Sequence, residues 1–109
     1  MATDLPGERT FRAAMAKYAP GVEISPAVGT VWTGGVLLQE ATKKLPEGKV
    51  TSADFFPGLY TIKGNTLGGL VGPLTFNAGS TASEVRCVFF IRIAGGKWTA
   101  PDGSKQHCF

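Results

Sequence analysis

The chain has 109 residues, 43% hydrophobic and 17% charged, with a formal net charge of +3 and a pI near 9.1. This balance excludes a disordered chain and leaves room for one domain with one modest core. The Lys and Arg residues are spread along the sequence, and the adjacent pair Lys43-Lys44 falls late in a predicted helix, where cations favour the dipole. A nucleic-acid surface needs clustered cations with exposed aromatics, so none is expected.

No stretch approaches the ~18 consecutive apolar residues that a membrane-crossing helix needs. The start, MATDLPGERT, lacks the basic-then-apolar layout of a secretory leader. Either the protein is cytoplasmic or the sequence begins downstream of its natural start.

From Glu8 to Tyr18, Phe11, Ala14, Met15 and Tyr18 fall at i, i+3, i+4 and i+7, which predicts an amphipathic helix closed by Pro20-Gly21. Ser25-Pro26 supplies an N-cap and a first-turn proline. Val28, Val31, Trp32, Gly35, Leu38, Ala41 and Leu45 then keep a helical period up to the stop at Pro46-Glu47-Gly48. Gly29, Gly34 and Gly35 weaken this second helix by up to ~1 kcal/mol each relative to Ala. Either tight packing on a sheet or close approach of a ligand or another backbone should compensate, and sheet packing is the simpler reading.

Thr51 can cap a third helix, with Asp54 placed for its dipole and Phe55, Phe56, Leu59, Tyr60 and Ile62 as its buried side. Pro57 predicts a kink or a short, tight turn, and Lys63-Gly64-Asn65 the end. In LGGLVGPLTFNAGS, Gly68-Gly69 reads as irregular backbone. Leu70, Val71, Leu74, Thr75 and Phe76 read as short extended structure compromised by Pro73, and Asn77 to Ser80 as a turn. Glu84 to Ile93 is the best strand in the chain, and Gly95-Gly96 turns it into a hairpin with Lys97-Trp98-Thr99. Three helices and one hairpin are too few strands for a self-sufficient α/β sheet, so chain is expected to be missing.

Chemistry-bearing clusters are scarce. His107 is the only histidine. Cys87, His107 and Cys108 lack the short spacings of a zinc site, and no Asn or Asp is evidently placed to orient a Cys-His nucleophile. The glycines form neither GxGxxG nor a Walker loop. No catalytic residue, metal or cofactor is expected, and the chain reads as non-enzymatic. Cys87 and Cys108 make sense as a disulfide that closes a loop of ~20 residues and contributes roughly 3 kcal/mol, which implies an oxidising compartment. Two unrelated thiols are the competing reading.

Taken in order, FRAAMAKYAPG, VWTGGVLLQEATKKL, TSADFFPGLYTIKGNTLGGLVGPLTF and CVFFIRIAGGKWT resemble the C-terminal portion of a type I periplasmic solute-binding protein, in the branched-chain amino-acid binding family of ABC importers. The similarity runs from about Phe11 to Trp98, with Gly72 to Phe76 standing at the family's Gly-Pro-(Leu/Ile)-Thr-(Phe/Trp) signature. It implies an α/β fold made of the last helices and hinge-proximal segment of one lobe (8–80) and the closing strand, hairpin and tail of the other (84–109). It further implies hinge-proximal Gly72 and Pro73, a cleft-lining Thr30 ahead of Trp32, and an amino acid or related solute as ligand of the intact protein. A membrane permease would be its partner, and its location periplasmic or extracellular, with a lipid anchor on the full-length protein as one form this could take. Thr33 departs from the family's usual Asp, Gly34-Gly35 from its commoner small pair, and Pro57 from an uninterrupted helix. The main solute-recognising residues of the family lie upstream of this sequence. The isolated chain is expected to self-associate or exchange strands through its exposed apolar faces. Two other readings stand beside this one: a small interaction module that recruits a partner strand at its hairpin edge, and a ligand-sensor domain of a receptor with the same ancestry.

Overall fold

A computed structural model describes residues 5–109; the first residues of MATDLPGERT, on which the reading of the leader partly rests, lie outside them. Helix α1 (Pro6–Tyr18) has proline at its first position and no side-chain cap. A loop caps it instead: the Gly68 carbonyl accepts the Gly7 N–H at 3.0 Å. The approach is close enough that a Cβ on Gly7 would stand 2.6 Å from the Leu67 carbonyl oxygen. Glu8 and Arg12 pair at 2.9 Å one turn apart.

Helix α2 (Pro26–Thr42) begins as expected, with the Ser25 hydroxyl accepting the Val28 N–H at 3.4 Å. It ends before the predicted Leu45. There the chain tightens, Lys43 N–H bonding to the Glu40 carbonyl and Leu45 N–H to that of Thr42. The third helix is split into a 3-10 turn (Ser52–Asp54) and the short α3 (Phe55–Leu59). Restarting at Phe55 puts Pro57 in a first turn, where its missing N–H has no intrahelical partner to lose.

Lys63–Asn65, expected as a helix terminus, forms strand β1, which pairs antiparallel with β2 (Leu74–Thr75). Gly64, at φ 65, accommodates the irregular register, and its N–H turns to the Thr75 hydroxyl at 2.9 Å. Leu70 and Val71 fall in the turn before β2 rather than in extended chain. The long strand predicted over Glu84–Ile93 is broken into β3 (Cys87–Val88) and β4 (Arg92–Ala94). The two pieces have different partners. β4 pairs with β5 (Lys97–Thr99) across a turn in which Gly95 and Gly96 both have positive φ, while β3 pairs with the tail strand β6 (His107–Cys108).

The result is a mixed α/β chain with three separate two-stranded antiparallel ladders and no continuous sheet among the described residues. Its core is correspondingly small: Phe11, Ala41, Ile62 and Leu67 are the buried apolar side chains, each 4% exposed. The accessible surface is 7508 Å², about 1,700 Å² more than folded monomers of this mass expose. A radius of gyration of 15.9 Å, against about 13 Å for a compact domain of this length, says the same.

Candidate functional site

The apolar period of α2 is only partly used by the fold. Ala41 is buried because α3 crosses it so closely that a Cβ on Gly58 would lie 1.8 Å from the Ala41 carbonyl oxygen. About one and about three turns earlier on the helix, Leu38 and Val31 are 55% and 78% exposed. Between them Gly34 and Gly35, like Gly29, have nothing within 4 Å of an ideal Cβ. The close approach that these glycines predicted is therefore absent among the described residues. They leave a flat strip of bare backbone flanked by Val31 and Leu38.

Trp32 is half-buried, its ring 5.4 Å from that of Phe11 and tilted by 40°. Its indole Nε1 is shielded from solvent and has no hydrogen-bond partner. The two rings floor an apolar groove of about 410 Å³ between α1 and α2, completed by Met15, Ala27, Val28 and Val31. Thr30 lies elsewhere. Residues two positions apart on a helix are separated by about 200°, and Thr30 is exposed, its hydroxyl donating to the Pro26 carbonyl at 3.0 Å. The chain thus does not bring Thr30 and Trp32 to one surface. Thr33 likewise bonds to its own helix, at the Gly29 carbonyl, 2.8 Å away.

Gly72 and Pro73 occupy the junction between the helical half and the tail. Gly72 is buried and Pro73 exposed. A Cβ on Gly72 would stand 2.5 Å from Val85 Cγ1 and 3.0 Å from Cys87 Cβ. Cys87 and Cys108 form a disulfide, directly opposite each other in the β3–β6 ladder. The flanking bond from Phe109 N–H to the Arg86 carbonyl, 2.9 Å, makes the bridged residues a non-hydrogen-bonded pair, the type whose side chains come closest. Both sulfurs are thereby unavailable as thiolate ligands or nucleophiles. His107 Nε2 lies 3.0 Å from Asp102 Oδ2, and the ring meets Phe90 edge-on at 4.9 Å. No group of three or more His, Cys, Asp or Glu is placed to hold a metal among the described residues.

The Thr51 hydroxyl, and after it the Thr51 N–H, donate to the Asp54 carboxylate and hold its pKa below the ordinary value. Several contacts escaped the sequence reading, among them the Asp102–His107 pair, which sets an Asp beside the imidazole where none was expected. The Phe11–Trp32 pair was foreshadowed by the apolar period of each helix. The bond from Gln106 Nε2 to the Val71 carbonyl, 2.8 Å across 35 residues, left no local trace. Comparison with family models, curated proteins and solved structures finds no match to this chain.

Proposed function

We propose that this chain is the C-terminal part of an extracytoplasmic solute-binding protein that delivers an amino acid or a related small solute to an ABC importer, without catalysis. The observation that carries the reading is the uncovered apolar face of α2. Val31, Gly34, Gly35 and Leu38 form a helix surface suited to lie flat on a β-sheet, and the three short ladders here supply no such sheet. The segment Gly72 to Phe76 begins at the junction of the helical half and the disulfide-tied tail, which supports the hinge-proximal role proposed for Gly72 and Pro73. The Cys87–Cys108 bridge agrees with an oxidising compartment. In the intact molecule the solute would be held by closure of two lobes about that hinge, and a permease would receive it.

The exposed Ile93 and Trp98 on the β4–β5 hairpin favour one rival, an interaction module that adds a partner's strand at this edge. One measurement separates the two readings. Protein isolated from its native source is analysed by mass spectrometry, with and without reduction. The binding-protein reading expects a polypeptide extended upstream of Met1 and no free thiols. A polypeptide beginning at Met1 or Ala2 with two reduced cysteines would overturn it and leave the interaction module.

A further inference from the structure

Residues two apart on a strand share a face. On β3 and its flanks that rule groups Val85, Cys87 and Phe89; on the tail it groups Gln106 with Cys108. The register Cys87↔Cys108 puts both groups on the same side of the ladder, and that side is turned toward the junction. Val85 and Cys87 press on Gly72, and Gln106 donates to the carbonyl of Val71 at 2.8 Å. Beside this grip the surfaces part. A cleft of about 300 Å³, lined by Phe89, Ser104 and Gln106 on one wall and by Leu5, Thr66 and Gly69 on the other, separates the tail from the loop that caps α1. The tail therefore holds the rest of the chain tightly at Val71–Gly72 and loosely next to it.

We infer that Gln106 and the Cys87–Cys108 bridge are positioning groups that clamp the Val71–Gly72 connection and make it the pivot between the helical half and the tail. The bridge fixes the register of β6, the register presents Gln106 on the clamping face, and Gln106 immobilises the Val71 peptide group. Gly72 is required at the contact because any side chain would strike Val85 and Cys87. That this pivot is the hinge of a solute-binding protein rests on the reading above; the clamp itself is a property of the 109-residue chain and is tested on it.

The test is hydrogen–deuterium exchange of the purified chain, followed in peptides covering residues 66–76, 26–42 and 84–109. Gln106→Ala removes one hydrogen bond and should speed exchange in 66–76 by about three- to tenfold. Gln106→Glu puts a carboxylate against the Val71 carbonyl and should speed it more. Cys87→Ser/Cys108→Ser should loosen 84–109 and 66–76 together, and by more than it speeds 26–42. Exchange in 66–76 that stays at the wild-type rate in the Gln106 variants, or a double-serine variant that loosens only 84–109, would overturn the clamp. So would an equal rise in all three peptides, which would mark general destabilisation. None of these results bears on the native N-terminus or thiol state, so the clamp and the importer reading fail separately.

Discussion

Gly58 and Gly34 both lie inside helices, and the same substitution should have opposite effects at the two sites. Replacing a helical glycine by alanine ordinarily stabilises by up to about 1 kcal/mol, because less backbone entropy is lost on folding. At Gly34 nothing stands within 4 Å of the new Cβ, so that gain should appear almost undiminished. At Gly58 the new Cβ would sit 1.8 Å from the Ala41 carbonyl oxygen and 2.9 Å from the carbonyl carbon. Non-bonded heavy atoms settle near 3.5 Å, so α3 would have to retreat by roughly 1.5 Å from a buried backbone contact. Overpacking of this kind costs about 1–3 kcal/mol, which outweighs the propensity gain. At a urea m-value of about 1.5 kcal/mol/M, Gly58→Ala should lower the unfolding midpoint by roughly 1 M while Gly34→Ala raises it by about half as much. Circular dichroism at 222 nm reads both. A Gly58→Ala midpoint at or above wild type would refute the packing of α3 on α2.

Breaking the disulfide with Cys87→Ser/Cys108→Ser should lower stability by about 3 kcal/mol in the chain-entropy model, read as a fall in the urea midpoint at constant helix content. A denaturing, non-reducing thiol assay of the oxidised chain should find no free thiols. Because Val31 and Leu38 are exposed on one face of α2, the purified chain should self-associate at high concentration, and Val31→Glu/Leu38→Glu should return it to monomer in sedimentation velocity; a strictly monomeric wild type contradicts this. Asp54 has a folded-state pKa depressed below 3.8, so the stability it contributes is fully present above that value and is lost as pH falls through the folded pKa. Asp54→Asn should flatten the acid limb of a pH–stability curve in that window, and an unchanged limb would remove Asp54 from the account.

Local chemistry was legible wherever a residue's conformational limits act on its own neighbours. Ser25-Pro26 started a helix, Gly95-Gly96 made a hairpin turn, and Pro57 prevented a long third helix, each through backbone geometry within a few residues. The pairing of Cys87 with Cys108 was legible for a different reason: both thiols share one small chain, and the tail has little else to anchor it. What failed was partner choice. A run as β-favourable as Glu84 to Ile93 cannot announce that its two ends pair with different strands, since pairing depends on where the tail and the hairpin come to rest. β1 was missed for the same reason; Lys63-Gly64-Asn65 is a poor strand sequence and becomes one only because Leu74-Thr75 is brought beside it. Thr30 was placed by resemblance alone, and its hydroxyl is taken up by its own helix at the Pro26 carbonyl.

The second helix holds the most informative disagreement. Its pattern assigns one continuous inward face, from Val28 through Leu38 to Ala41, yet the fold buries only the end against α3. Apolar periodicity reflects the surroundings in which a helix is stable, and a face carrying both exposed branched side chains and bare glycine backbone is costly unless something flat lies against it. If that something is a sheet of the same protein, Gly34→Ala should stabilise the isolated chain but destabilise the native-source protein by about 1 kcal/mol or more, because the added methyl would then meet a strand. If the face is open to solvent in the cell as well, the substitution should stabilise both by similar amounts. The sign of one methyl group, compared between the two forms, therefore decides whether the exposed face of α2 is a surface or an interior.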